Sequence, residues 1–163
     1  MQRFTRFVQL VDRACQAVVA ALVCAIVAVV FAQVIFRYAV VRPLFWGDEL
    51  ARYLFIWISF LGAAVAMGSR LHYGFDYLME KSPAALRGVV GILTSLLAVG
   101  FFLVCLVYGV QSIAVVSAQR SPALQISMAW VYAALPTGSV LMLLHLVDQM
   151  LPLPGRHGAE RVA

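Results

Sequence analysis

Residues 37–76 read RYAVVRPLFWGDELARYLFIWISFLGAAVAMGSRLHYGFD, and the rest of the chain is interpreted outward from them. The stretch begins where one long apolar run ends and contains a second. A charged side chain at the centre of a membrane helix costs about 2.5–3.5 kcal/mol on insertion scales. Asp48, Glu49 and Arg52 therefore belong at a membrane surface or against a partner, with a helix running inward from them. Pro43, with its fixed φ, suits the first turn of that helix, and the two acids suit the positive end of its dipole. Arg52 follows Asp48 by four residues and Glu49 by three, a spacing that lets all three meet on one helical face. A solvated helix start would ask for nothing more than this pattern.

The composition agrees with a membrane chain. Of 163 residues, 64% are hydrophobic and 12% charged, which excludes an ordinary soluble domain. Charge-free runs cover 14–36, 53–69, 88–119 and 121–147. A bilayer core takes about 20 apolar residues per helix, so the expectation is four spans. The run at 53–69 is short and reaches full length only if its helix starts within 46–52. The net charge of +5 invites a nucleic-acid partner, but its distribution argues against one. With the N-terminus inside, Arg3, Arg6, Arg13, Arg70, Lys81, Arg87, Arg156 and Arg161 fall on the cytoplasmic side. Arg37, Arg42, Arg52 and Arg120 fall outside, and eight against four is the positive-inside bias. Cys15, Cys24 and Cys105 lie in or beside apolar runs without paired spacing, as small buried hydrophobes do.

The fold expected is an all-α integral membrane protein with four transmembrane helices, near 14–36, 46–69, 88–112 and 127–147. A short charged and aromatic interfacial helix leads into the second. Residues 1–150 form one domain, 151–163 a flexible cytoplasmic tail, and 1–13 a basic, amphipathic arm at the interface. Gln33, near the outer end of the first span, can either hydrogen-bond across helices or reach headgroups, and its depth favours the second. Trp46, Tyr53, Trp57 and Phe60 share one face of the second span. Gly62-x3-Ala66 and Ala64-x3-Gly68 are small-residue pairs that permit close approach of another helix. Pro136 withholds an amide from the carbonyl of Tyr132, so the fourth span should kink there, with Thr137 and Ser139 near the freed groups.

The order Arg37-Tyr38, Arg42-Pro43, Phe45-Trp46, Asp48-Glu49-Leu50-Ala51-Arg52-Tyr53, Trp57, Phe60-Leu61-Gly62-Ala63-Ala64, then His72 and Asp76, resembles the small membrane subunit, DctQ type, of tripartite ATP-independent periplasmic transporters. Trp130, Tyr132, Leu135-Pro136 and Gly138 extend the likeness, although Ser127-Met128-Ala129 stands where that family often has a proline. The resemblance implies a scaffold in the bacterial inner membrane, both termini cytoplasmic. Its partners would be a large multi-span permease subunit, which carries the substrate and ion sites, and a periplasmic solute-binding protein. The cargo implied is an organic acid such as a C4-dicarboxylate, keto acid or sialic acid, driven by an ion gradient. The interface candidates are Trp46, Asp48, Glu49, Arg52, Tyr53, Gly62, His72 and Asp76.

No phosphate-binding loop, nucleophile elbow or metal-ligand cluster is legible, so no enzyme and no cofactor is expected. Two alternatives remain at this point. A cytochrome b-like electron-transfer anchor would use His72 and His145, but His72 lies past the end of its span. A small multidrug exporter would need an acid at mid-membrane depth, and the interiors of these runs carry none.

Overall fold

The computed structural model describes residues 2–68 and 87–150, and the expectations for His72, Asp76 and the tail lie outside them. Among the described residues the chain is helical throughout apart from its connections. Helix α1 spans Gln2–Tyr38, α2 Gly47–Gly68, α3 Arg87–Val116, α4 the single turn Ala129–Tyr132, and α5 Ala134–Met150. Among the described residues, four stretches are long and apolar enough to cross a membrane: Leu10–Tyr38, Gly47–Gly68, Val89–Val116 and Ala129–Asp148.

At 1.5 Å per residue, the 37 residues of α1 extend about 55 Å, well beyond a hydrocarbon core of about 30 Å. The basic arm and the first span are thus one continuous rod. Its C-terminal end is closed by the Ala39 amide on the Ile35 carbonyl at 2.8 Å and the Arg42 amide on Phe36 at 3.0 Å. Val41 takes a left-handed φ of 55° to make that closure, an unfavourable conformation for a β-branched residue. This corrects the role expected of Pro43. Residues 39–42 are committed to ending α1, so Pro43 stays in the connection and α2 starts at Gly47. The charged and aromatic segment is likewise the opening of α2 itself, running straight into the span. Asp48 and Glu49 occupy its first turn, as the helix dipole favours.

The helices do not pack in chain order. Helix α1 lies on α2, α2 on α5, and α5 on α3, with a lesser contact from α1 to α5. The last span is therefore the most enclosed, and α1 and α3 are the outermost. The core is Ala64, Met67, Met142 and Leu146, with Phe60, Ala98, Val99, Phe102 and Leu141 packed against it. Many larger side chains, including Phe31, Ile92, Leu96 and Phe101, point outward. On a soluble monomer such a surface would be an aggregation hazard; against lipid tails it carries no penalty.

Glycines set the closest approaches. A Cβ on Gly109 of α3 would lie 2.9 Å from Pro136 Cδ, and one on Gly138 of α5 would lie 2.9 Å from Phe60 Cβ. Ala64 and Gly68, one of the two expected small-residue pairs, face inward. Ala64 is 1% exposed, and Gly68 meets Asp12 and His145. A Cβ on Gly62 or Gly100 would meet nothing within 4 Å. The helix is interrupted one turn ahead of Pro136: α4 ends at Tyr132, and α5 begins after Ala133, which itself keeps right-handed helical angles. Hydroxyls inside the spans return to their own helices: Thr137 donates to Ala133 O, Ser139 to Leu135 O at 2.8 Å, and Ser112 to Tyr108 O at 2.7 Å. No hydroxyl proton of these three is left facing hydrocarbon.

Candidate functional site

The end of the bundle where α1 stops and α2 starts gathers most of the residues singled out in the sequence. Asp48, Glu49 and Arg52 can share a face by spacing, but each side chain goes to a different place. Asp48 turns to α1, where Gln33 Nε2 donates to its Oδ1 at 2.9 Å. Of the two readings of Gln33, the bond across helices is the one realised and the favoured headgroup reading is corrected: a carboxylate of its own chain was nearer. The bond requires α2 to start against α1, and Gly47 permits this, since a Cβ there would lie 2.5 Å from Gln33 Nε2.

Glu49 turns the other way, toward the connection between α3 and α4. That connection folds on itself. Arg120 bridges Ser127 in antiparallel fashion, the Ser121 amide donates to Ile126 O at 2.9 Å, and the Met128 amide to Gln119 O at 3.0 Å. Gln125 takes a φ of 56° at the bend. Such a fold leaves the amides of Ala123 and Leu124 pointing the same way, and both donate to Glu49 Oε2, at 2.8 and 3.1 Å. The Tyr53 hydroxyl, one turn along α2, donates to Glu49 Oε1 at 2.5 Å and touches Met128 Sδ at 3.5 Å. Ser121, fully buried, lies alongside. One carboxylate thus accepts three hydrogen bonds and holds the connection onto the head of α2. Bonds from neutral donors to a charged acceptor are stronger than those between neutral groups.

Arg52 is left over. It is exposed and forms no ion pair with Asp48 or Glu49 among the described residues. The carboxylates of this rim are engaged within the chain, whereas Arg37, Arg42, Arg52 and Arg120 are exposed. Exposed aromatic side chains stand with them: Tyr38, Phe45, Trp46 and Trp130. Aromatic and arginine side chains together are the usual furniture of a membrane–water boundary. A surface pocket between the two helix ends is lined by Gln33, Arg37, Pro43, Leu44, Phe45 and Asp48. Tyr53 is buried, Trp57 half-buried, and Phe60 packs on the core, so most of the aromatic stripe serves packing.

Sequence reasoning found Glu49 and Tyr53 but missed their partners. Backbone amides at 123 and 124 carry no side-chain signature, and only the fold of the connection aims them. The opposite end of the bundle holds a second unread feature. Asp12 of α1 sits 3.5 Å from His145 of α5, a pair 133 positions apart that no motif links. The electron-transfer alternative finds no support there. His145 Cε1 would be 2.8 Å from a Cβ on Gly68, and Asp12 stands at its Nε2, which leaves no approach for a porphyrin plane. Among the described residues, no three His, Cys, Asp or Glu side chains are grouped to hold a metal ion.

Residues 26–153 match the family described as tripartite ATP-independent periplasmic transporters, DctQ component. The sialic acid TRAP transporter permease protein SiaT of Haemophilus influenzae is 29% identical over 124 residues, covering 76% of this chain and 20% of that protein. The isethionate TRAP transporter permease protein DctMQ of Oleidesulfovibrio alaskensis is 28% identical over 137 residues, covering 77% of this chain and 21% of that protein. The sialic acid TRAP transporter small permease protein SiaQ of Vibrio cholerae is 29% identical over 140 residues, 81% of this chain and 76% of that one. The chain thus spans about a fifth of the first two relatives and about three quarters of the third.

Proposed function

The chain belongs to the DctQ component family of tripartite ATP-independent periplasmic transporters, and from that premise we propose that it is the small permease subunit of such a transporter, a multi-pass scaffold that catalyses no reaction itself. The observation that carries this reading is the family match over 128 residues, 26 to 153, laid on four spans of suitable length. In the two longest-named relatives, the part like this chain is about a fifth of a larger permease. That supports a separate large membrane subunit as its partner here, supplying the path for solute and coupling ion. A periplasmic solute-binding protein delivers the cargo, and the relatives' names point to an organic anion. The bilayer is the third partner, and the chain has no role with nucleic acid.

The bacterial inner membrane is the proposed location, with both termini cytoplasmic and the Glu49 rim facing the periplasm. Eight of the twelve Lys and Arg residues fall on the inner side in that orientation. Reporter fusions at Ser121 and after Ala163 are expected to read periplasmic and cytoplasmic. A periplasmic C-terminus would overturn the orientation.

The interface candidates divide by what they touch. Trp46 and Arg52, exposed at the rim, face a partner, and Gly62 offers an open helix surface for a close helix contact. Glu49 and Tyr53 shape the rim from within, and Asp48 joins α2 to α1. His72 and Asp76 belong to the connection between the second and third spans. In proteoliposomes, uptake of an organic acid is expected only when this chain, the large subunit and the binding protein are all present. Uptake by the large subunit and binding protein alone would defeat the scaffold reading.

A further inference from the structure

The cavity between the last turn of α1 and the first turn of α2 has a volume of about 250 Å³. Sites that enclose a drug-sized solute run to roughly 300–1,000 Å³, so this one takes a small polar group rather than a whole organic molecule. Helix α1 contributes the Arg37 guanidinium to its lining and α2 the Asp48 carboxylate, with Pro43, Leu44 and Phe45 as the apolar remainder. Among the described residues these two charges do not pair with each other, and Arg37 has no hydrogen-bond partner. Asp48 gives one oxygen to Gln33 Nε2 at 2.9 Å, and a carboxylate has further lone pairs to offer. Arg42 is exposed at the same helix end but does not line the cavity. A cation and an anion that share one cavity without pairing suit a ligand that carries both charges.

The helix faces that lead away from the cavity are apolar. Val34 and Val30 precede Arg37 by three and seven residues, the spacing of one helical face, and both are exposed, at 49% and 44%. Phe55, seven residues after Asp48 on α2, is 62% exposed. Both faces run from the cavity into candidate spans, so a molecule seated by its polar end lays an apolar tail along them. We propose that the cavity binds the headgroup of a zwitterionic phospholipid that carries a primary ammonium, as phosphatidylethanolamine does. The planar Arg37 guanidinium donates to the phosphate oxygens, an acceptor its fork fits bidentately, and the ammonium donates to Asp48. An anionic headgroup satisfies Arg37 but sets like charge against Asp48, and a choline headgroup has no N–H to give the carboxylate. Placing the lipid in the periplasmic leaflet rests on the proposed orientation. The binding itself rests on this geometry alone, so its failure leaves the transport reading untouched.

The test is native mass spectrometry of the purified, delipidated chain, titrated separately with diacyl phosphatidylethanolamine, phosphatidylglycerol and phosphatidylcholine. The first phosphatidylethanolamine should bind on the order of tenfold more tightly than either of the others, the scale of one charge-assisted hydrogen bond. Arg37→Ala should weaken the first binding event of all three lipids by a similar factor, since the phosphate is common to them. Asp48→Asn, which keeps an acceptor for Gln33 Nε2, should retain binding but lose the preference for phosphatidylethanolamine, a change of selectivity that misfolding does not produce. Arg13→Ala, at an exposed arginine near the other end of α1, should change nothing. Glycerophosphoethanolamine, the headgroup without its acyl chains, should not compete at equal concentration. Competition by it would make the site one for a free phosphate ester and overturn the lipid assignment. Equal binding of the three lipids by the wild type, or undiminished binding by Arg37→Ala, would overturn the headgroup site itself.

Discussion

Trypsin will cut after Arg120 on the order of tenfold faster in a Glu49→Ala protein than in the wild type, the effect of losing strong hydrogen bonds to a charged acceptor. The peptide bond from Arg120 to Ser121 lies in the folded connection, and Arg120 Nη1 itself donates to Gln125 O at 3.1 Å. What keeps that connection against the helices is the Glu49 carboxylate, which takes the amides of Ala123 and Leu124 and the Tyr53 hydroxyl. Removing it leaves two amides to water and lets the loop open. Cleavage after Arg37, at the end of α1 and remote from Glu49's partners, is the internal control and should not change. Glu49→Gln keeps an acceptor but loses the charge, so it should fall between. Equal cleavage after Arg120 in all three proteins would show that Glu49 does not hold the loop.

The same geometry predicts the outcome of a charge exchange. If Glu49 and Arg52 bonded to each other, Arg52→Glu combined with Glu49→Arg would recover what either change lost. Here an arginine at 49 would aim its donors at two other donors, so the double variant should be no better than the worse single one. Recovery of uptake by the exchange would argue for a direct pair and against the arrangement at Glu49.

The second large effect separates glycines that look alike in the sequence. Gly109→Val and Gly138→Val should each lower stability by at least about 1–3 kcal/mol, the usual cost of overpacking. At Gly109 the obstacle is the Pro136 ring and backbone nitrogen, and at Gly138 it is the Phe60 backbone, neither of which can swing aside. In chains of this size each kcal/mol corresponds to about 2–4 °C in melting midpoint. Gly62→Ala and Gly100→Ala should move the other way, gaining up to about 0.5–1 kcal/mol from reduced backbone freedom with no clash to offset it. Melting followed by size-exclusion chromatography in detergent would read all four. The larger Gly62→Leu should leave this chain intact yet reduce recovery of the proposed large subunit in a pull-down. Normal recovery would remove Gly62 from the interface.

The sequence alone was enough for the four spans, because the gain from burying an apolar side chain in a bilayer and the cost of burying a charge belong to each residue wherever the helices go. The break one turn ahead of Pro136 was legible for the same kind of reason: a proline lacks its amide in any setting. The likeness around Trp46, Asp48, Glu49 and Tyr53 was legible as a pattern of residue types. What those residues touch was not. Whether Glu49 meets Arg52 or the amides of Ala123 and Leu124 depends on how a distant connection folds. Whether Gln33 meets a headgroup or Asp48 depends on where α1 ends and α2 begins. The neighbour order α1, α2, α5, α3 and the meeting of Asp12 with His145 also needed the tertiary structure. In lipid, one apolar face of a helix is as acceptable as another, so hydropathy does not say which face turns inward. That choice is made by close packing at Gly68, Gly109 and Gly138, where a single Cβ decides whether two helices can touch.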